Sequence, residues 1–142
     1  VTTVATDGKT IAADTQSLNG SGTANKVTKL WRFKDGSIFG VAGDLQDGIL
    51  AKEWFENGGE KPKLSENFSG LLIRKGKIFK VENQLAPWEI QPPASIGTGR
   101  DFSLMAMVMG ISPADSIHLI IQKRLDVGTG GEVHEFIIGE QL

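Results

Sequence analysis

Apolar positions in the first half of the chain come in short runs broken by glycine turns, not in long helical stripes. TTVAT and KTIAAD flank Asp7-Gly8, KLWRFK and SIFGVAG flank Asp35-Gly36, and LLIR and KIFKV flank Lys75-Gly76. Each dipeptide sets a residue that tolerates or needs positive φ between two β-forming runs, the pattern of a hairpin. Six short strands, paired locally and antiparallel, are predicted from these segments, and a seventh over residues 133–138.

Three stretches carry a helical period instead. Over 45–55, Leu45, Ile49, Leu50 and Trp54 form one stripe, with Asp44 as N-cap, Asp47 in the first turn and Asn57-Gly58-Gly59 as the stop. Over 100–109 the pattern is apolar nearly all round, which predicts a helix covered on more than one side. A third helix, 112–124, opens on Ser112-Pro113-Ala114-Asp115 and turns Ile117, Ile120, Ile121 and Arg124/Leu125 inward at helical spacing. Residues 58–68 are polar and without period, hence a surface loop. The three prolines within 83–94 exclude a central strand there. Strand pairs, helix, strand pair, two helices and strand describe a single α+β domain spanning 1–142, layered αββα. The hairpin connections exclude a Rossmann or P-loop arrangement. Gly97-Thr98-Gly99 and Gly128-Thr129-Gly130-Gly131 are too short for phosphate loops.

Composition then removes several chemistries. The 142 residues include no cysteine, which excludes disulfides, thiolate metal sites and thiol catalysis. The only histidines are His118 and His134, too few for a histidine metal centre, so neither metal nor cofactor is expected. Fifteen Lys+Arg against 17 Asp+Glu, mixed along the chain, give no electrostatic case for nucleic acid. No apolar run approaches the ~18 residues of a membrane span, and no export leader is evident, so a cytoplasmic setting without membrane contact is expected.

A nucleophile in such a chain is Ser, Thr, Lys or a carboxylate. Thr2-Thr3 opens the first strand. An N-terminal threonine combines nucleophile and base, because its α-amine has an ordinary pKa near 8 and can take the hydroxyl proton. It needs a buried cation, a carboxylate to fix that cation and backbone N–H groups for the oxyanion. Asp14 and Lys26 are candidates for the first two. Asp126 is noted because an acid at a helix C-terminus opposes the helix dipole. Each of these residues taken singly reads more readily as an ordinary strand, turn or surface residue than as part of a site.

Taken together, Thr2-Thr3-Val4, Thr10-Ile11-Ala12-Ala13-Asp14-Thr15, Asn25-Lys26-Val27, Gly40-Val41-Ala42-Gly43-Asp44, Ile96-Gly97-Thr98-Gly99 and Asp126-Val127-Gly128-Thr129-Gly130-Gly131 occur in the order of a known pattern. The chain resembles the proteasome β-subunit superfamily, including the bacterial HslV peptidase and its compact bacterial and phage members. The resemblance implies a four-layer αββα sandwich of two antiparallel sheets, here shortened in one outer helical layer. It further implies a threonine-type peptidase in a self-compartmentalising particle of two stacked rings, six or seven subunits each. Peptide or unfolded protein would be the substrate, and an AAA+ unfoldase the usual companion.

Carried over by residue, Thr2 is the nucleophile, Asp14 the acid and Lys26 the catalytic lysine. Gly43 supplies the oxyanion N–H, Thr98 takes the place of the family's serine in the Gly-Ser-Gly turn, and Asp126 and Thr129 brace the N-terminus, with threonine replacing serine at 129 as well. Ala24, Val41 and Leu45 line the side-chain pocket, which should suit an apolar residue. Two departures stand out. Val1 precedes Thr2, and the chemistry requires its removal. The first hairpin is also shorter than in typical members: a three-residue turn centred on Gly8 would set Thr2 opposite Asp14, and a two-residue Asp7-Gly8 turn would set Val1 there. Two other readings compete, a catalytically degenerate structural or regulatory homologue and an N-terminal-nucleophile amidase acting on a small amide.

Overall fold

A computed structural model describes residues 2–18 and 24–139; Val1, whose removal the resemblance leads one to expect, lies outside the described residues. Strands β1 (Thr3–Thr6) and β2 (Thr10–Asp14) form the first hairpin, with Val4 opposite Ala13 and Thr6 opposite Ile11. Its connection is neither of the two expected turns. Residues 7–10 all lie between the Thr6–Ile11 pair, and the register continued by one position sets Thr3 opposite Asp14. Side chains hold this longer loop. Asp7 Oδ1 accepts the N–H groups of Lys9 and Thr10, both at 2.9 Å, Thr6 Oγ1 donates to the Thr10 carbonyl, and Gly8 supplies φ 89°.

Strand β10 (Ala94–Gly97) pairs with β1, and β11 (Val133–Ile137) with β2, giving a four-stranded antiparallel sheet in the order β10-β1-β2-β11. A five-stranded antiparallel sheet follows chain order: β5 (Leu30–Arg32), β6 (Ile38–Ala42), β7 (Ser69–Arg74), β8 (Lys77–Val81) and β9 (Trp88–Ile90). Lys75 and Gly76, both at positive φ, make the two-residue turn between β7 and β8. Strands β3 (Gln16–Leu18) and β4 (Ala24–Lys26) form a separate pair. The sequence pattern missed β3, β4, β9 and β10, which at three or four residues are too short to display a period. Both strands beside the prolines, β9 and β10, are sheet edges, where proline is tolerated.

The two sheets pack face to face through Val4, Ile11, Leu30, Ile38, Leu71 and Ile96. Helices α2 (Arg100–Val108) and α3 (Pro113–Lys123) cover the outer face of the four-stranded sheet, where Ala5 and Ala12 meet Met107 and Ile117. Helix α1 (Leu45–Asn57) covers the other sheet, its Ala51 and Trp54 packing with Phe39, Val41 and Leu72. The result is the αββα sandwich expected, with one outer layer reduced to a single helix. Both expected N-caps form: Asp44 accepts from Asp47 N–H and Ser112 from Asp115 N–H. Among the described residues, no helix is long and apolar enough to cross a membrane.

Candidate active site

Thr2 enters the four-stranded sheet from its end and is 1% exposed. Its hydroxyl donates to Asp14 Oδ1 and accepts from Lys29 Nζ. Lys29 also pairs with Asp14 at 3.0 Å, closing a buried triangle of hydroxyl, ammonium and carboxylate. Asp14 is fully buried, and two main-chain donors hold its remaining lone pairs: Thr3 N–H at 3.2 Å on Oδ1 and Gly130 N–H at 3.0 Å on Oδ2. A carboxylate so supplied is fixed in orientation. The longer hairpin therefore still delivers Asp14 to Thr2, through the side chain of a residue that stands opposite Thr3.

The lysine of this triangle is Lys29, not Lys26. Lys26 sits at the end of β4, all of whose residues are exposed, and pairs at 2.8 Å with Glu132 on the surface. The physical reason is local topology. The β3–β4 pair forms a separate two-stranded sheet, and the chain joins the main sheet only beyond it, where Val27 N–H donates to the Thr15 carbonyl and Val41 N–H to the Lys29 carbonyl. Ala24 falls on the same exposed strand and does not line the cleft beside Thr2, whereas Val41 and Leu45 do. A signal for Lys29 existed in the sequence: it immediately precedes the apolar pair Leu30-Trp31, while Lys26 follows polar Asn25. Burial lowers the Lys29 ammonium below its ordinary pKa of 10.5, and the Asp14 charge opposes that shift.

The loop 126–130 ties this triangle to β10. Asp126 Oδ2 accepts the hydroxyls of Thr98 and Thr129, both at 2.6 Å. Thr98 Oγ1 in turn accepts Thr2 N–H at 3.2 Å, and the hydroxyls of Thr129 and Thr3 lie 2.8 Å apart. The threonines at 98 and 129 thus make the contacts their hydroxyls permit, and the acid beyond the end of α3 has its reason: it orients two hydroxyls, of which Thr98 meets the Thr2 N–H and Thr129 the Thr3 hydroxyl. Gly43, between β6 and α1, has φ 97°, and a Cβ there would collide with the Asn67 carbonyl oxygen. It stands at the mouth of the site, next to the N-terminus of α1, where the helix dipole favours negative charge. A cleft of about 760 Å³ opens from Thr2 between β3 and α1, lined by Leu18, Val41, Gly43, Leu45, Ile49 and Glu53 among others. Among the described residues, no group of three or more acids and histidines could hold a metal ion.

No protein-family model matches the sequence, and no curated protein matches it either. Solved structures do. Thiobacillus denitrificans BPH in complex with epoxomicin superposes with a TM-score of 0.72 at 16% identity, covering 98% of this chain and 99% of that one. A second structure of T. denitrificans BPH gives 0.67 at 18%, covering 99% and 100%. HslV from Trypanosoma brucei gives 0.65 at 16%, covering 96% and 97%. These likenesses run the full length of the sandwich, and the chain has the fold of the proteasome β-subunit and HslV-like superfamily.

Proposed function

We propose that the chain is a threonine-type peptidase whose nucleophile is Thr2 Oγ1. One observation carries this reading: the Thr2 hydroxyl is held between a buried ammonium and a buried carboxylate at the head of an open cleft. With a free α-amine on Thr2, the hydroxyl proton passes to that amine directly or through a water, and Oγ1 attacks the peptide carbonyl. Lys29 stabilises the developing alkoxide, and Asp14 holds Lys29 in place. The carbonyl oxygen becomes an oxyanion at the Gly43 N–H, beside the positive end of α1. The amine, now protonated and aligned by Thr98 and Asp126, gives its proton to the leaving nitrogen, and water hydrolyses the resulting ester.

Assembly belongs to the same proposal. Phe102, Met105, Val108 and Met109 leave an apolar face of α2 uncovered, in keeping with a closed homo-oligomer whose stacked rings, of six or seven subunits, enclose the Thr2 sites. Substrates are then peptides or unfolded polypeptides, and an AAA+ unfoldase is the companion that folded substrates would need. The test is intact and peptide mass spectrometry of the purified protein before and after epoxomicin, the compound bound to BPH. The expected result is a chain beginning at Thr2 that gains one equivalent of the compound on that residue. Protein that retains a residue ahead of Thr2, or that begins at Thr2 and remains unlabelled, would overturn the reading.

A further inference from the structure

We infer that the hydroxyl of Thr3 is a positioning group for the amine side of the site, an inference that rests on the peptidase reading above. Side chains alternate in direction along β1: Val4 packs between the sheets, whereas Ala5 faces Met107 and Ile117 under the helices. Thr3 shares the face of Ala5 and is fully buried. Valine has the same shape and is as good a strand former, and a buried hydroxyl costs stability unless it is hydrogen-bonded. The hydroxyl at position 3 calls for a reason, and its neighbour supplies one: Thr129 Oγ1 lies 2.8 Å away.

Counting protons fixes the direction of that bond. A carboxylate only accepts, and each threonine hydroxyl has one proton to give. Thr98 and Thr129 both lie 2.6 Å from Asp126 Oδ2, and each gives its proton there. Thr98 Oγ1 also stands 3.5 Å from the Thr2 carbonyl, a longer contact that does not compete. Thr129 Oγ1 is left as an acceptor, so Thr3 is the donor between the two. By the same count Thr98 Oγ1 is left to accept the Thr2 N–H. The Thr3 proton therefore holds Thr129 on Asp126, and Asp126 holds Thr98 toward the nitrogen that must carry the proton during turnover. Gly99 makes room for the pair: a Cβ there would collide with Thr3 Oγ1 and come within 3.2 Å of Thr129 Oγ1. Thr3 does not line the cleft beside Thr2, so its hydroxyl acts on proton transfer and not on substrate binding. Its main-chain N–H, which donates to Asp14 Oδ1 at 3.2 Å, is untouched by a change of side chain.

The experiment compares Thr3→Val, Thr3→Ala and Thr3→Ser, each with a free Thr2, by the kinetics of a fluorogenic peptide and by the urea midpoint. Thr3→Val and Thr3→Ala should lower kcat about tenfold, as for the loss of one hydrogen bond in a chain that ends on a carboxylate, with KM within about twofold. Thr3→Ser keeps the hydroxyl and should restore kcat to within about threefold of the unaltered protein. Serine is the poorer strand former and leaves a methyl-sized gap, so a role in packing alone would rank valine above serine. Thr3→Val added to Thr129→Val should cost little more than Thr129→Val by itself, because both remove the same link. A Thr3→Ser variant no faster than Thr3→Val or Thr3→Ala, activities that simply follow the urea midpoints, or an unchanged kcat in Thr3→Val overturns the role of Thr3 and leaves the peptidase reading standing. Unaltered protein with a free Thr2 that cleaves no peptide overturns the peptidase reading, and the role of Thr3 falls with it.

Discussion

A lysine packed beside a carboxylate and a hydroxyl, away from water, is held there at the expense of its own solvation. Burial lowers the affinity of Lys29 for its proton, and the Asp14 charge restores part of it. In the proposed mechanism such an ammonium stabilises an alkoxide at Thr2 Oγ1 at short range, which a surface lysine cannot do. Lys29→Ala should accordingly reduce the initial rate on a peptide substrate by roughly 10²–10⁴-fold, the span of a positioned acid–base group. Lys26→Ala should leave it within about twofold, because its ion-pair partner, Glu132, is exposed on the surface. The reverse ranking would return the role to Lys26. Gly43 makes a second prediction at this scale. Gly43→Ala must place a Cβ at φ 97° against the Asn67 carbonyl, so the urea midpoint should fall by an amount equivalent to about 1–3 kcal/mol. In protein that remains folded, kcat should fall by roughly 10² or more as the oxyanion donor is displaced. An unchanged kcat would separate Gly43 from the chemistry.

The helices and strands place these side chains, and their ends were the most readable part of the chain. Ser112 and Asp44 cap α3 and α1 as the sequence indicated, because capping depends on residues within one turn. Ser112→Ala should lower stability by about 1 kcal/mol, read as a shift in denaturation midpoint, since α3 holds Ile117 and Ile120 against the sheet that carries Thr2. Strand β11 adds a pH term. Burial of His134 against Phe136, their rings 4.7 Å apart, lowers its pKa below 6.5. In that window the unfolded chain takes up the proton first, so this contribution to stability is present above pH 6.5 and is lost as the pH falls through the folded value. Between pH 7.5 and 5.5 the urea midpoint of the unaltered protein should therefore fall further than that of His134→Gln. Equal falls would show that His134 has no part in the acid sensitivity. Short elements were less readable: β3 and β4, three residues each, carry no period, and their separation from the main sheets set Lys26 and Ala24 outside the site.

At the scale of the whole molecule, the four layers leave an apolar face of α2 open. Met109 is 75% exposed and Val108 67%, whereas Met107 on the same helix is 7% exposed against the sheet. Light scattering at micromolar concentration should give a multiple of 15.3 kDa, and Val108→Asp combined with Met109→Asp should lower that mass without altering the circular dichroism spectrum. A particle of about one chain mass for the unaltered protein would defeat the assembly proposal. The order of hairpins and helices, the caps of α1 and α3 and the nearly continuous apolar character of α2 were determined by the sequence itself, because each depends on residues a few positions apart. From these the layered sandwich followed. Which lysine is buried, which pair faces which in the first hairpin, and what surrounds the Thr2 nitrogen were decided only in three dimensions. Asp14 lies 12 residues from Thr2, Lys29 lies 27, and Thr98 lies 96. No local rule of periodicity or capping relates them. They meet because β2 returns beside β1, β5 joins β6 in the facing sheet, and the loop after α3 folds back on the sheet end, setting a cation, an acid and a hydroxyl around one threonine.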